Sequence, residues 1–72
     1  MFTASFYQYT PAGTAVGKGM SKSPKQAMKQ AVAASDAAYY ALCARAGQCL
    51  SVGVDGWRMW RGATLVGRHD NI

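Results

Sequence analysis

Ser23-Pro24-Lys25-Gln26 decides how this chain is read. Serine is a strong N-cap, proline suits the first helical position, and glutamine three residues after the serine completes a capping box. A helix over 24–46 follows. Gly47 is a natural stop, and Arg45 in the last turn complements the helix dipole. Met28, Val32, Ser35, Tyr39, Leu42 and Ala46 recur at three- and four-residue spacing, widened by Ala31 and Ala38, and this stripe is expected to face the core.

Working outward, each flank reads as a hairpin. Residues 2–9 are rich in aromatics and threonine and predict a strand. Pro11-Ala12-Gly13 suits a three-residue loop, with the return strand over 14–20. That register pairs Thr10 with Thr14, Gln8 with Val16, Phe6 with Lys18 and Ala4 with Met20. It assigns Phe2, Ala4, Phe6, Val16 and Met20 to one face, and sets Tyr7 and Tyr9 opposite Gly17 and Ala15 on the other. After the helix, 49–54 alternates as a strand, Asp55-Gly56 reads as a type I′ turn, and 57–66 returns. Leu50, Val52, Val54, Trp57 and Met59 are then core-facing, Trp60 is exposed, and 67–72 is a polar tail.

The whole chain, 1–72, is therefore expected to be one α+β domain: a two-layer ββαββ fold with a four-stranded antiparallel sheet in the order 2-1-3-4 and one helix on one face. Lys18 and Arg61 fall on the edge strands in that arrangement, where charge discourages open-edge pairing. The helix leaves the other sheet face bare. Tyr7, Tyr9, Arg58 and Trp60 are expected there, and they are the candidate binding residues.

Composition narrows the function. Seventy-two residues bury about 60% of the unfolded surface, so a second copy or a partner would add stability, and a homodimer is an open alternative. Eight Lys and Arg against three Asp and Glu leave a net charge of +5, which suits acidic partners, nucleic acid among them. Lys18, Lys22, Lys25 and Lys29 form the one local concentration of charge. The longest apolar stretch, 31–46, is broken by Ser35, Asp36 and Arg45 and is too short to span a bilayer, so no membrane is expected. Met1 to Ser5 has no basic segment followed by an apolar run, so no signal peptide is expected and the cytoplasm is the default location.

Chemistry is sparse. Asp36, Asp55 and Asp70 fall on a helix flank, a turn and the tail, which gives no carboxylate pair. Cys43, Cys49 and the lone His69 do not make up a zinc set, and the cysteines read as reduced structural thiols. Gly17-Lys18-Gly19 lacks the remaining spacing of a phosphate loop. No enzyme activity, cofactor or metal is expected. The bare face has the Trp, Tyr and Arg composition of protein hot spots, and also that of sheets that stack unpaired bases.

Two resemblances bear on these alternatives. Gly17-Lys18-Gly19-Met20-Ser21-Lys22, followed by Lys25, Ala27, Lys29 and Ala31, resembles the segment of double-stranded RNA-binding domains that ends the sheet and opens the second helix. That resemblance implies Lys22, Lys25 and Lys29 at phosphates, although no first helix precedes the strands here. Ser21 to Ala46, a serine-proline start to an Ala/Met-rich helix with a hairpin on each side, resembles the small phage-encoded anti-CRISPR proteins of type I systems. That second resemblance implies a non-enzymatic, stoichiometric inhibitor that binds a CRISPR effector subunit in the host cytoplasm by protein–protein contact. The alternative is a small basic nucleic-acid-binding module using Lys22, Lys25 and Lys29 with the aromatic face.

Overall fold

The computed structural model describes residues 1–71 and shows the ββαββ layout. β1 (Phe2–Thr10) and β2 (Gly13–Ser21) form the first hairpin. α1 (Pro24–Ala46) crosses the sheet, and β3 (Val54–Arg61) and β4 (Thr64–Asn71) form the second hairpin. The order is β2-β1-β3-β4, antiparallel throughout.

Helix α1 starts and stops where its signals lie. The Ser23 side chain accepts the Gln26 amide proton at 3.4 Å, and Gly47 adopts the left-handed C-cap conformation at φ 73°. The buried helix positions are Ala27, Ala31, Ser35 and Cys43: Ala31 and Ser35 belong to the predicted stripe, while Ala27 and Cys43 take the places expected of Met28 and Leu42. Met28, Val32, Tyr39 and Leu42 are only half-buried, and Ala46 is exposed.

The strand beneath explains why the buried positions are small. Thr10 pairs with Gly13, not Thr14, across a two-residue loop, Pro11-Ala12. The Thr10 hydroxyl holds this turn, donating to the Gly13 carbonyl at 2.7 Å and accepting from the Ala12 amide at 3.2 Å. One residue of register exchanges the two faces of a strand. Ala15, Gly17 and Gly19 therefore point to the helix, while Val16 and Met20 point away, reversing the predicted β2 faces. Gly17 and Gly19 let the helix backbone settle onto the strand: a Cβ on either would collide with helix main-chain atoms. Small residues from both layers, Ala4, Ala15, Ala27, Ala31 and Ser35, fill the contact. Among the described residues Ser35 is the largest fully buried side chain, and its single hydroxyl proton is shared between the Gln8 side-chain oxygen and the Ala15 carbonyl.

The second hairpin departs further from expectation. Residues 49–53, predicted as strand, form an irregular connection. Leu50 is buried there, with its amide on the Cys43 sulfur and its carbonyl accepting from the Tyr39 hydroxyl, whereas Val52 is exposed. The 23-residue helix is about 34 Å long, slightly longer than β1, so the chain must descend before it can pair. Pairing begins where Gly53 donates to the Tyr9 carbonyl at 3.0 Å. From Val54 opposite Tyr9 to Arg61 opposite Phe2, β3 follows β1 along nearly its whole length. That ladder carries Asp55-Gly56 into the strand interior and moves the turn to Gly62-Ala63, with Gly62 at φ 59°. The predicted tail from 67 onward is strand β4, apart from Ile72, which lies outside the described residues. Arg61 consequently lies on central β3, not on an edge.

Met59 and Trp57 keep their predicted inward face: Met59 is buried and the Trp57 ring lies over Gly67. Trp57 is only half-buried, however, because α1 packs mainly on β2 and β1 and covers little of β3 and β4 beyond Met59, and Trp60 is half-buried as well. The core is Ala4, Ala27, Ala31 and Met59, edged by Phe2, Phe6, Met28 and Trp57.

Candidate functional site

Directly paired residues of antiparallel strands project to the same side, so the register writes out the bare face row by row. At one end run Met20, Thr3, Trp60 and Leu65. Next come Lys18, Ser5, Arg58 and Arg68, then Val16, Tyr7, Gly56 and Asp70, then Thr14, Tyr9 and Val54. Tyr7, Tyr9, Arg58 and Trp60 therefore lie on one surface, the side away from the helix. Val66 is the extra residue at the bulge that shifts the β3–β4 register between Met59 and Trp60.

The centre of this face is a polar cluster on an aromatic base. The Tyr7 hydroxyl donates to the Asp70 carboxylate, and Arg58 pairs with the same carboxylate at 3.3 Å. The Arg58 guanidinium lies over the Tyr7 ring, 5.7 Å from its centroid, in cation–π position. Tyr9 stacks obliquely on Tyr7, with centroids 5.0 Å apart. Tyr7 in turn covers Gly56, where any side chain would strike its ring. The predicted register set Tyr7 opposite Gly17; the glycine it covers belongs to β3.

These contacts set the ionisation of the cluster. The hydrogen bond to Asp70 is the main reason the Tyr7 phenol is held above the usual tyrosine range; burial adds to this and Arg58 opposes it. The same bond, with Arg58 adding and burial opposing, holds the Asp70 carboxyl below the usual carboxylate range. Tyr7 first and Asp70 second raise Arg58 further. The group is a structural brace: it fixes Arg58 and ties β4 to β1 across β3.

Around the brace, exposed apolar side chains alternate with the charged Lys18 and Arg68. Val16, Met20, Leu65 and Val66 are 46–59% exposed, and Tyr9 is half-exposed. Sequence reasoning missed Val16 and Met20 through the one-residue register error, and Leu65, Arg68 and Asp70 by placing the second turn too early. The available signal was Gly62-Ala63, preceded and followed by strand-length segments.

The basic run does not stay together. Lys18 lies on the outer sheet face, Lys22 in the β2–α1 connection, and Lys25 and Lys29 on α1 in the opposite layer. Lys25 and Lys29 flank an open concavity of about 620 Å³ along α1, lined also by Met28, Val32, Ala33 and Asp36. Cys43 is buried and Cys49 exposed, both as free thiols. Among the described residues no group of three His, Cys, Asp or Glu converges. Among the described residues no helix is long and apolar enough to cross a membrane. No family model, curated protein or solved structure matches the chain.

Proposed function

We propose that this chain acts by stoichiometric binding, without catalysis, and that its working surface is the sheet face left bare by the helix. The observation that carries the reading is the exposure of Tyr9, Val16, Met20 and Leu65 around a braced Arg58 on that one face. Contiguous exposed apolar surface rimmed by polar groups is characteristic of interaction sites. Tyr, Trp and Arg are the residues that dominate binding hot spots. The pre-set guanidinium and rigid rings lose little freedom on docking.

The most concrete form of this proposal follows the resemblance to anti-CRISPR proteins: the chain binds a type I CRISPR effector complex in the host cytoplasm and blocks its engagement with target. The nucleic-acid alternative read from the sequence joined Lys22, Lys25 and Lys29 to the aromatic face. Lys25 and Lys29 belong to the other layer, so those groups are not one surface. The test is titration of the protein into a reconstituted type I effector with labelled target DNA. Inhibition should saturate near one protein per binding site, and Tyr9→Ala should relieve it. Unimpaired target binding at excess protein would remove the effector from the proposal.

A further inference from the structure

Lys18, Arg58 and Arg68 line up in one row across all four strands of the bare face. Three inter-strand spacings separate Lys18 from Arg68, about 14 Å in all. Ser5 fills the remaining place in the row and leaves it low. The rows on either side bring Trp60 and Tyr7 on the two central strands, with Tyr9 one row beyond. Arg58 is engaged by Asp70, whereas Lys18 and Arg68 make no ion pair among the described residues. The face thus carries three cations and one anion on an aromatic floor.

We infer that this face binds a short single-stranded nucleic acid, its phosphates on Lys18 and Arg68 and its bases on Tyr9 and Trp60. Charge complementarity selects the polyanion, and the aromatics select the unpaired form. A duplex offers proteins its backbone and base edges, whereas stacking on a flat sheet requires the faces of splayed bases. The Tyr7 ring is already covered by Arg58, so Tyr9 and Trp60 are the available platforms. Asp70 opposes the strand electrostatically and limits its affinity. The inference rests on the bare face being the working surface. It names the component of a ribonucleoprotein target that would meet it, since such effectors hold a guide RNA and a displaced DNA strand.

The test uses fluorescein-labelled oligouridylate and oligothymidylate of about 12 nucleotides, within the range small single-strand-binding domains cover. Anisotropy is measured against the intact chain from low to moderate salt, with a duplex of equal length as comparison. Either single strand should bind, more tightly than the duplex. Affinity should fall with salt at a log–log slope of about −0.7 per cation engaged. Lys18→Ala and Arg68→Ala should each weaken binding and flatten that slope by about 0.7. Tyr9→Ala should weaken it about tenfold with the slope unchanged. Asp70→Asn should tighten it, and Lys25→Ala with Lys29→Ala should leave it alone. Melting curves confirm that each variant is folded. The inference is overturned if neither strand binds, if the duplex is preferred, or if binding survives loss of Lys18 and Arg68 but not of Lys25 and Lys29. Effector inhibition that persists without oligonucleotide binding would leave the inhibitor reading standing, with a protein partner on this face.

Discussion

Gly17 lies against the main chain of α1 at Ala31, with no room for a methyl group between strand and helix. Close approach of the two backbones, not interdigitation of large side chains, joins the layers. It follows that Gly17→Ala should cost about 3 kcal/mol, the upper range for overpacking a tight contact. In a domain of this size that lowers the melting temperature by more than about 10 °C. Gly53→Ala, where nothing lies within 4 Å, is the control and should change stability by less than about 0.5 kcal/mol. Equal melting of the two variants would contradict the backbone-on-backbone seat.

The turn position has its own test. Gly62→Ala should cost about 1–2 kcal/mol because φ there is 59°, and Gly62→Asn should cost less. Asp55→Ala lies within a strand and should be nearly neutral. Strong destabilisation by Asp55→Ala with tolerance at Gly62 would return the turn to Asp55-Gly56.

The Tyr7–Asp70–Arg58 brace predicts a pH signature. Asp70 titrates below its unfolded value, so its stabilisation is present above the ordinary carboxylate range and is lost as pH falls through its folded value. Tyr7 titrates above its unfolded value, so its stabilisation is present below about pH 10 and is lost as pH rises further. Melting temperatures of the native chain and Asp70→Asn should therefore differ at neutral pH and converge in strong acid. Parallel curves down to strong acid would show that Asp70 does not stabilise the fold through its charge.

Ser23→Ala should cost about 1 kcal/mol, since the Ser23 hydroxyl oxygen accepts the Gln26 amide proton at the helix start. Urea unfolding at unchanged m-value is the measurement. No change in midpoint would mean that the cap contributes nothing.

Thiol labelling of the native chain should modify exposed Cys49 and spare Cys43, which is buried and accepts the Leu50 amide at 3.4 Å. Rapid labelling of both would show that the 48–53 connection opens readily.

By itself the sequence settled the helix and the two-layer plan. Ser23-Pro24 and Gly47 act within a few residues of chain, so their outcome depends on no distant partner. The order 2-1-3-4 was one arrangement of two hairpins about a crossing helix, and the pairing of β3 with β1 decided it. The face shared by Tyr7, Tyr9, Arg58 and Trp60 was also legible, because alternation along β1 and along 57–61 holds whatever the neighbouring register. Register was a tertiary matter. The face that β2 turned inward depended on how near α1 could come, and two glycines admitted the backbone where Val16 and Met20 would have held it off. The second turn yielded to the same kind of force. Asp55-Gly56 is a strong local hairpin signal, yet the ladder of β3 on β1 offered pairing along nearly the full length of β1, and that cooperative gain outweighed one turn's preference. Only the resulting register brought Arg68 and Asp70 onto the bare face, because a strand's side-chain direction is decided by what it pairs with.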